Sequence, residues 1–193
     1  TVRTVRLVRG EVFFEVAHNK EKPFVVLAKA GAIRALGTAF TVRLDREDIA
    51  VMVTDGRVEL STLNSPKAVT GSADSLTMQP KVLMNLEAGQ SARFTDRIDT
   101  VENINAAQIE KKLAWRSDLL IFEGETLGQV IQDVSRYTRS EIVINDPVLK
   151  DLRITGVFPT GEISALLHTL DESFDIDVAY GADEKVYLTS RAN

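Results

Sequence analysis

The sequence predicts an α+β protein in which an all-β N-terminal domain precedes a small α/β domain. Over residues 1–94, apolar residues recur at every second position in short runs, and turn-forming residues separate the runs. This pattern predicts an antiparallel sandwich, a barrel or a solenoid-like domain. After residue 118 the apolar residues fall three and four positions apart, which predicts amphipathic helices between short strands.

One turn of the β region has a specific residue signature. The apolar run 49–53 leads into Asp55-Gly56, and Val58 and Leu60 follow. Asp-Gly between two such runs is typical of a two-residue hairpin, because both residues adopt positive φ readily. We therefore expect a hairpin here and give Asp55 and Gly56 a structural role.

The stretch "ALGTAFTV", residues 35–42, contains no proton donor, metal ligand or strong nucleophile. An isolated glycine in a strand pattern marks a tight turn, a bulge or a close backbone approach. We expect this role for Gly37, with Phe40 in the core. The stretch is thus predicted to specify the fold more than a contact.

Residues 61–80 interrupt the strand pattern, because Ser, Thr, Pro, Gly and Asn dominate there. We interpret them as a long, mobile loop between two strands, with residues 82–86 resuming the sheet. A loop of this length inside a compact domain is either functional or disordered, and we favour disorder.

A short helical stretch marks the predicted domain boundary. "AAQIEKKLAW", residues 106–115, ends in the single tryptophan of the chain. We expect an all-β domain at 1–105, a helical connector at 106–118 and an α/β domain at 119–193. Trp115 is expected to pack where the two domains meet.

The predicted α/β domain contains an internal repeat of two β-α-β halves. The halves superimpose without a gap at an offset of 36 residues. Phe122 and Phe158 are equivalent, and we assign both a structural role. The other equivalent pairs are Leu127 with Ile163, Val130 with Leu166, Ile131 with Leu167, Val134 with Leu170, and Ile142 with Val178.

Residues that carry enzyme chemistry are scarce, and we predict that the protein is not an enzyme. The chain has no cysteine, which excludes disulfides, thiolate metal sites and cysteine nucleophiles. His18 lies in a predicted turn and His168 on the exposed side of a predicted helix, without neighbours at metal-ligand spacing. No phosphate-binding glycine motif is present. We expect no catalytic residue, cofactor, metal site or small-molecule substrate.

Charge and hydropathy argue against two further classes. The net charge is -5, the pI is about 5.2 and the basic residues are scattered, which argues against a nucleic-acid-binding surface. No apolar run reaches the roughly 18 residues of a membrane-spanning helix, and no signal peptide is visible. Because the sequence begins at Thr1, we expect a fragment of a longer protein.

Several stretches, spread over nearly the whole chain, carry a resemblance to a known family. Four of them are "GEVFFEVAHNKEKPFVV" (10–26), "IRALGTAFTVR" (33–43), "VTDGRVEL" (53–60) and "LEAGQ" (86–90). Together they resemble the periplasmic FecR domain of cell-surface-signalling anti-sigma regulators. "LAWRSDLLIFEGETLGQVIQDVSRYT" (113–138) resembles the family's next segment, and "ITGVFPTGEISALLHTL" (154–170) is similar to the second half of an STN domain.

The resemblance implies a periplasmic sensing role in iron-uptake regulation. Members of the family join a cytoplasmic anti-sigma segment, one inner-membrane helix and this periplasmic part. A TonB-dependent siderophore transporter in the outer membrane contacts the regulator through an N-terminal signalling domain. Proteolysis of the regulator then frees an extracytoplasmic-function sigma factor. The implied partners are that signalling domain, the sigma factor through the missing cytoplasmic segment, and periplasmic and intramembrane proteases.

We expect the partner surface on the C-terminal domain, because its short strands leave sheet edges. The predicted edges are "EIVIN" (141–145) and "KVYLT" (185–189), beside an exposed helix face. Alternatively, the apolar side chains of these strands point into the core, and an edge contact then uses mainly the backbone. The predicted partner-binding residues are Gln132, Arg136, Arg139, Glu141, Ile142, Val143, Ile144, Lys185 and Tyr187.

Two other functions stay open at this point. An envelope hydrolase would need two carboxylates that converge in a concave pocket of the β domain. A structural domain of a secretin-like envelope assembly would use the C-terminal domain type, but the FecR-like half argues against it.

Overall fold

The computed structural model describes residues 2–45, 48–63, 80–182 and 184–191. They form two compact units, Thr1–Ile109 (unit 1) and Glu110–Asn193 (unit 2). Strands predominate in the described chain as a whole and helices accompany them, which agrees with the predicted α+β class. The predicted loop at 61–80 lies for the most part outside the described residues, and the domain limits at 105 and 118 stay predictions.

Unit 1 is a sandwich of two five-stranded sheets. The first sheet has the order β1-β3-β4-β7-β8 and the second has the order β10-β9-β6-β5-β2. The strands are β1 (Arg3–Leu7), β2 (Gly10–Val16), β3 (Phe24–Ala28), β4 (Gly31–Ala35), β5 (Thr38–Leu44), β6 (Ile49–Asp55), β7 (Arg57–Leu63), β8 (Pro80–Glu87), β9 (Gln90–Phe94) and β10 (Ile98–Asn103). All pairings are antiparallel except that of β1 with β3.

The inward faces of both sheets form one apolar core. Val26, Ile33 and Leu60 of the first sheet are fully buried together with Phe40 and Phe94 of the second. The ring of Phe14 stacks on that of Phe40, with 5.3 Å between the centroids. Val26 and Ala28 of β3 and Val58 and Leu60 of β7 lie in this core, so the period-two pattern marks the buried face of these two strands correctly.

The prediction of a hairpin at Asp55-Gly56 is wrong. β6 lies in the second sheet and β7 in the first, so the chain changes sheets at this point. Gly56 has a φ of +77°, whereas Asp55 is not among the residues with positive φ. A two-residue hairpin of this sequence type needs positive φ at both positions. Here Gly56 alone joins the two strands.

Gly37 lies at a second change of sheet, between β4 and β5. A Cβ atom at this position would lie 2.5 Å from the Cα atom of His18. The amide of Asn19 donates to the carbonyl of Leu36 at 2.7 Å, which holds the turn against this point. The geometry agrees with the close backbone approach that the sequence predicts.

Unit 2 contains a two-stranded sheet, a three-stranded sheet and the helices packed with them. The strands are β11 (Leu119–Thr126), β12 (Glu141–Ile144), β13 (Arg153–Pro159), β14 (Ile176–Tyr180) and β15 (Lys185–Ser190). Helix α1 (Ala106–Leu113) crosses from unit 1 into unit 2, and α2 (Leu127–Val134) and α3 (Ile163–Ser173) follow. Two short 3-10 helices cover Ala114–Ser117 and Pro147–Asp151.

The order of elements in unit 2 is that of two β-α-β halves, but the strands of one half do not share a sheet. The first strands, β11 and β13, pair antiparallel with each other. The second strands, β12 and β14, flank β15, which pairs parallel with β12 and antiparallel with β14. Each half therefore contributes to both sheets.

The helices and both sheets of unit 2 share one core. Leu127 and Val130 of α2 and Leu166 and Leu170 of α3 are almost fully buried in it. Thr126 begins α2 with a capping box, because its hydroxyl accepts from the Gln129 amide at 3.3 Å. The remaining core residues include Phe122 and Phe158, whose ring centroids lie 6.1 Å apart.

Candidate functional site

The predicted edge strands of unit 2 differ in position. β12, which contains "EIVI", is an edge strand of the three-stranded sheet. β15, which contains "KVYLT", lies between β12 and β14, so the prediction that it is an edge is wrong. The reason is that β15 is the additional strand at the end of the repeat and fills the space between the two equivalent strands.

The residues of these strands divide between two faces. Val186 and Leu188 are buried in the core, and Ile142 and Ile144 are partly buried against it. This agrees with the alternative that their side chains serve the core. The other side of the sheet includes Glu141, Val143, Ala179, Lys185 and Tyr187, and we call these five residues the outer face.

The outer face consists of one charged row and one neighbouring apolar row. Lys185 Nζ and Glu141 Oε2 form an ion pair at 3.0 Å across β12 and β15. The hydrogen bond to Glu141, together with its negative charge, raises the pKa of Lys185. Val143, Tyr187 and Ala179 lie side by side in the next row. The face therefore offers an apolar row beside a neutralised charge pair.

Two further polar contacts fasten the far end of β12 to β15. Ser190 Oγ donates to Asp146 Oδ2 at 2.5 Å, and Asn145 Nδ2 donates to Thr189 Oγ1 at 3.4 Å. The hydrogen bonds from Ser190 and from the Val148 amide hold the pKa of Asp146 below its usual value. Sequence reasoning missed these contacts, because the paired residues lie 44 positions apart. The "NDP" turn signature was their one local signal.

The predicted helix residues lie elsewhere on unit 2. Gln132 is on the exposed side of α2, whose opposite side packs into the core. Arg136 Nη1 contacts Asp133 Oδ1 at 2.6 Å, and Arg139 is exposed two residues before β12. Because α2 packs on the core side of the three-stranded sheet, neither Gln132 on α2 nor Arg136 in the turn directly after it belongs to the outer face.

The remaining candidates have structural surroundings. His168 contacts Glu172 at 3.3 Å on the exposed side of α3, and His18 packs against Gly37. Trp115 lies in the first 3-10 helix, and its buried Nε1 has no hydrogen-bond partner among the described residues. Its role between the domains stays a prediction. Within the described ranges, no cluster of three or more His, Asp or Glu residues could hold a metal ion.

The helices of the described part are too short or too polar to cross a membrane.

Comparison with protein families identifies both ends of the chain. The family described as "FecR protein" matches residues 1–59. The family described as "FecR, C-terminal" matches residues 119–188. The chain belongs to the FecR family. The C-terminal match is thus to the FecR family's own C-terminal part, and the STN resemblance stays a prediction.

Solved structures support the same assignment to a regulatory family. A crystal structure at 1.65 Å of a protein from Parabacteroides distasonis ATCC 8503, provisionally assigned as an anti-sigma factor, is 26% identical with a TM-score of 0.70. The similarity covers 99% of this chain and 82% of that chain. A second crystal structure of such a protein from the same organism, at 2.50 Å, is 26% identical with a TM-score of 0.68 and covers 99% of this chain and 81% of that chain. None of the curated proteins compared with this FecR-family chain matches it significantly. The FecR matches and the structural relatives support a signalling regulator.

Proposed function

We propose that this chain is the signal-sensing part of an anti-sigma regulator and binds the N-terminal signalling domain of a TonB-dependent siderophore transporter. Membership of the FecR family and the likeness to an anti-sigma protein of P. distasonis support the regulatory role. The geometry that favours a protein partner is the outer face beside the edge strand β12. Such a sheet margin offers backbone hydrogen bonds and an apolar row, but no reactive group.

The proposed signal is a change of contact. When the transporter binds its iron chelate, its signalling domain docks on unit 2 in the periplasm. The regulator then becomes a substrate for periplasmic and intramembrane proteases, and an extracytoplasmic-function sigma factor is released. In this scheme the chain undergoes no catalytic step and needs no cofactor.

Titration calorimetry of the whole chain with each purified signalling domain of the organism's TonB-dependent transporters tests this proposal. We expect one domain to bind with a Kd of about 1–100 µM, the range of a reversible signalling contact. Absence of binding by every domain at concentrations of several hundred micromolar, roughly the limit for such a contact, would contradict the proposal.

A variant of the outer face tests the location within unit 2. Tyr187→Glu places a charge in the apolar row beside Val143 and should weaken binding about tenfold or more. The matched control is Gln132→Glu, because Gln132 is exposed on α2 outside the outer face. Equal weakening by both variants would move the site away from the sheet.

A further inference from the structure

The polar side chains of β12 and of the turn after it bond toward one side of the strand. Glu141 pairs with Lys185, Asn145 with Thr189 and Asp146 with Ser190, and all three partners belong to β15. These contacts hold β12 firmly in the sheet. The side chains of Glu141, Asn145 and Asp146 are thus all directed toward β15, and none of the three is directed to the opposite side of β12.

The backbone N–H and C=O groups of β12 also point to two opposite sides of the strand. The amides of Glu141 and Asn145 donate to Glu184 and Leu188 at 3.2 Å and 3.0 Å, so the odd-numbered residues face β15. Alternate residues of a strand direct their N–H and C=O groups to opposite sides. The backbone groups of Ile142 and Ile144 therefore point to the side where the described chain has no paired strand.

The two strands of the other sheet of unit 2, β11 and β13, carry protecting features. On β11, the outward amide of Glu123 already donates to Glu125 Oε2 at 2.5 Å. β13 ends in Pro159, which has no N–H to offer. Proteins protect sheet edges with charges, prolines, bulges or short strands. On β12 the protection is its length of four residues.

We propose that β12 accepts one extended strand of the transporter's signalling domain, which pairs with the backbone of Ile142 and Ile144. This inference rests on the proposed function and specifies its contact. The occupant is a strand because the open groups are backbone donors and acceptors at strand spacing. On the outer side its side chains are apolar and uncharged, since β12 presents Val143 there and Glu141 is already neutralised by Lys185.

The size of the contact argues for a transient heterologous partner and against a second copy of the chain. A four-residue strand pair lies well below the roughly 1,200–2,000 Å² that a stable interface buries. A small backbone contact forms and dissociates readily, as a signal that reports transporter occupancy requires.

Ile142→Pro in the whole chain tests this pairing directly. Proline removes the outward N–H of residue 142 and leaves the odd-numbered amides that bond to β15. The control Ile142→Val keeps the N–H and the β-branched shape. With the signalling domain that binds the wild type in calorimetry, we expect Ile142→Pro to weaken binding at least about tenfold and Ile142→Val by less than about twofold.

The outcomes separate the two proposals. Equal binding by wild type and Ile142→Pro overturns the strand pairing and leaves the proposed function standing, whereas a wild type that binds no signalling domain overturns both. If Ile142→Pro does not fold, hydrogen exchange of the wild-type complex decides. We expect slower exchange at the amides of Ile142 and Ile144, and unchanged exchange there would overturn the pairing. A wild type and an Ile142→Val variant that sediment as dimers, together with an Ile142→Pro variant that sediments as a monomer, would identify a second copy as the occupant and also contradict the inference.

Discussion

Ile121 and Val157 lie directly opposite each other in the antiparallel pair of β11 and β13, and they are also equivalent positions of the 36-residue repeat. The local two-fold axis that relates the two halves therefore passes between these two residues. A two-fold relation also holds about Tyr187 in the three-stranded sheet. Ile142 lies opposite Val186, and its repeat equivalent Val178 lies opposite Leu188, on the other side of Tyr187. An internal repeat in the sequence has become a two-fold arrangement in which β15 occupies the centre of one sheet.

Truncation of the repeat core is expected to destabilise unit 2 strongly. Leu170 is fully buried on α3, and Leu170→Ala should lower the free energy of unfolding by about 2–5 kcal/mol. His168→Ala, on the exposed side of the same helix, should change it by less than about 0.5 kcal/mol. Urea unfolding followed by Trp115 fluorescence measures both, since Trp115 belongs to unit 2. Similar losses for the two variants would contradict the assigned helix face.

Gly37→Val is expected to destabilise unit 1. Its Cβ would lie 2.5 Å from the Cα of His18, and a backbone atom cannot give way as a side chain end can. We expect a loss of at least about 1–3 kcal/mol, measured as a lower transition temperature in scanning calorimetry. Gly161→Val is the control, because nothing lies within 4 Å of that position. If Gly37→Val melts like the wild type but no longer binds the partner, the stretch 35–42 is a contact site instead.

Thr38→Val is expected to leave stability unchanged or to raise it. The buried Thr38 Oγ1 has no hydrogen-bond partner within the described part of the chain, and valine has nearly the same shape. Removing an unsatisfied hydroxyl should stabilise unit 1 by up to about 1–2 kcal/mol. Thr54→Val should instead cost about 1 kcal/mol, because Thr54 Oγ1 donates to the carbonyl of Ala39 at 3.0 Å. A clear loss of stability in Thr38→Val would reveal a partner for this hydroxyl.

The stability contributed by Glu125 is expected to depend on pH. Burial alone would raise the pKa of Glu125, but hydrogen bonds from Lys111 and from the Glu123 amide lower it overall. A lowered pKa in the folded state means a contribution that is present above the unfolded pKa of about 4.3 and lost as the pH falls through the folded value. Glu125→Gln should therefore destabilise unit 2 at pH 7, and the difference from the wild type should shrink as the pH falls below about 4.3. A difference that stays constant down to the acid unfolding of the protein, read from Trp115 fluorescence, would contradict this ion pair.

The sequence allowed the prediction of elements and faces better than that of pairings. The alternation around Phe40 and the helical spacing of Leu127 and Leu166 follow from burial, which is a local property of each residue. The sheet that β7 joins after Asp55-Gly56 does not follow from local burial. A turn residue sets only the local chain direction, whereas the packing of the two sheets decides with which strand β7 pairs. For the same reason, the central position of β15 and the contact of Asp146 with Ser190 were not foreseen.

The candidate site was predicted only in part. Alternate residues of a strand share a face. Once β12 is known to pair with β15, the sequence therefore places four residues on one face: Glu141, Val143, Lys185 and Tyr187. Gln132 and Arg136 were expected on an exposed helix face beside the edge strands. Gln132 lies on the exposed side of α2 and Arg136 follows that helix in contact with Asp133, so neither belongs to the outer face. A polar pattern predicts that a side chain is exposed to solvent. A partner site also needs neighbouring strands and helices, and the packing of the core sets their positions.

Hydrogen exchange of the whole chain, with and without the purified signalling domain of a TonB-dependent transporter, tests the central claim most directly. The proposed sensing function predicts slower exchange in residues 141–144 and 185–189 when the domain is added. Exchange that slows only in unit 1, or in no part of the chain with any of the organism's transporter domains, would contradict it.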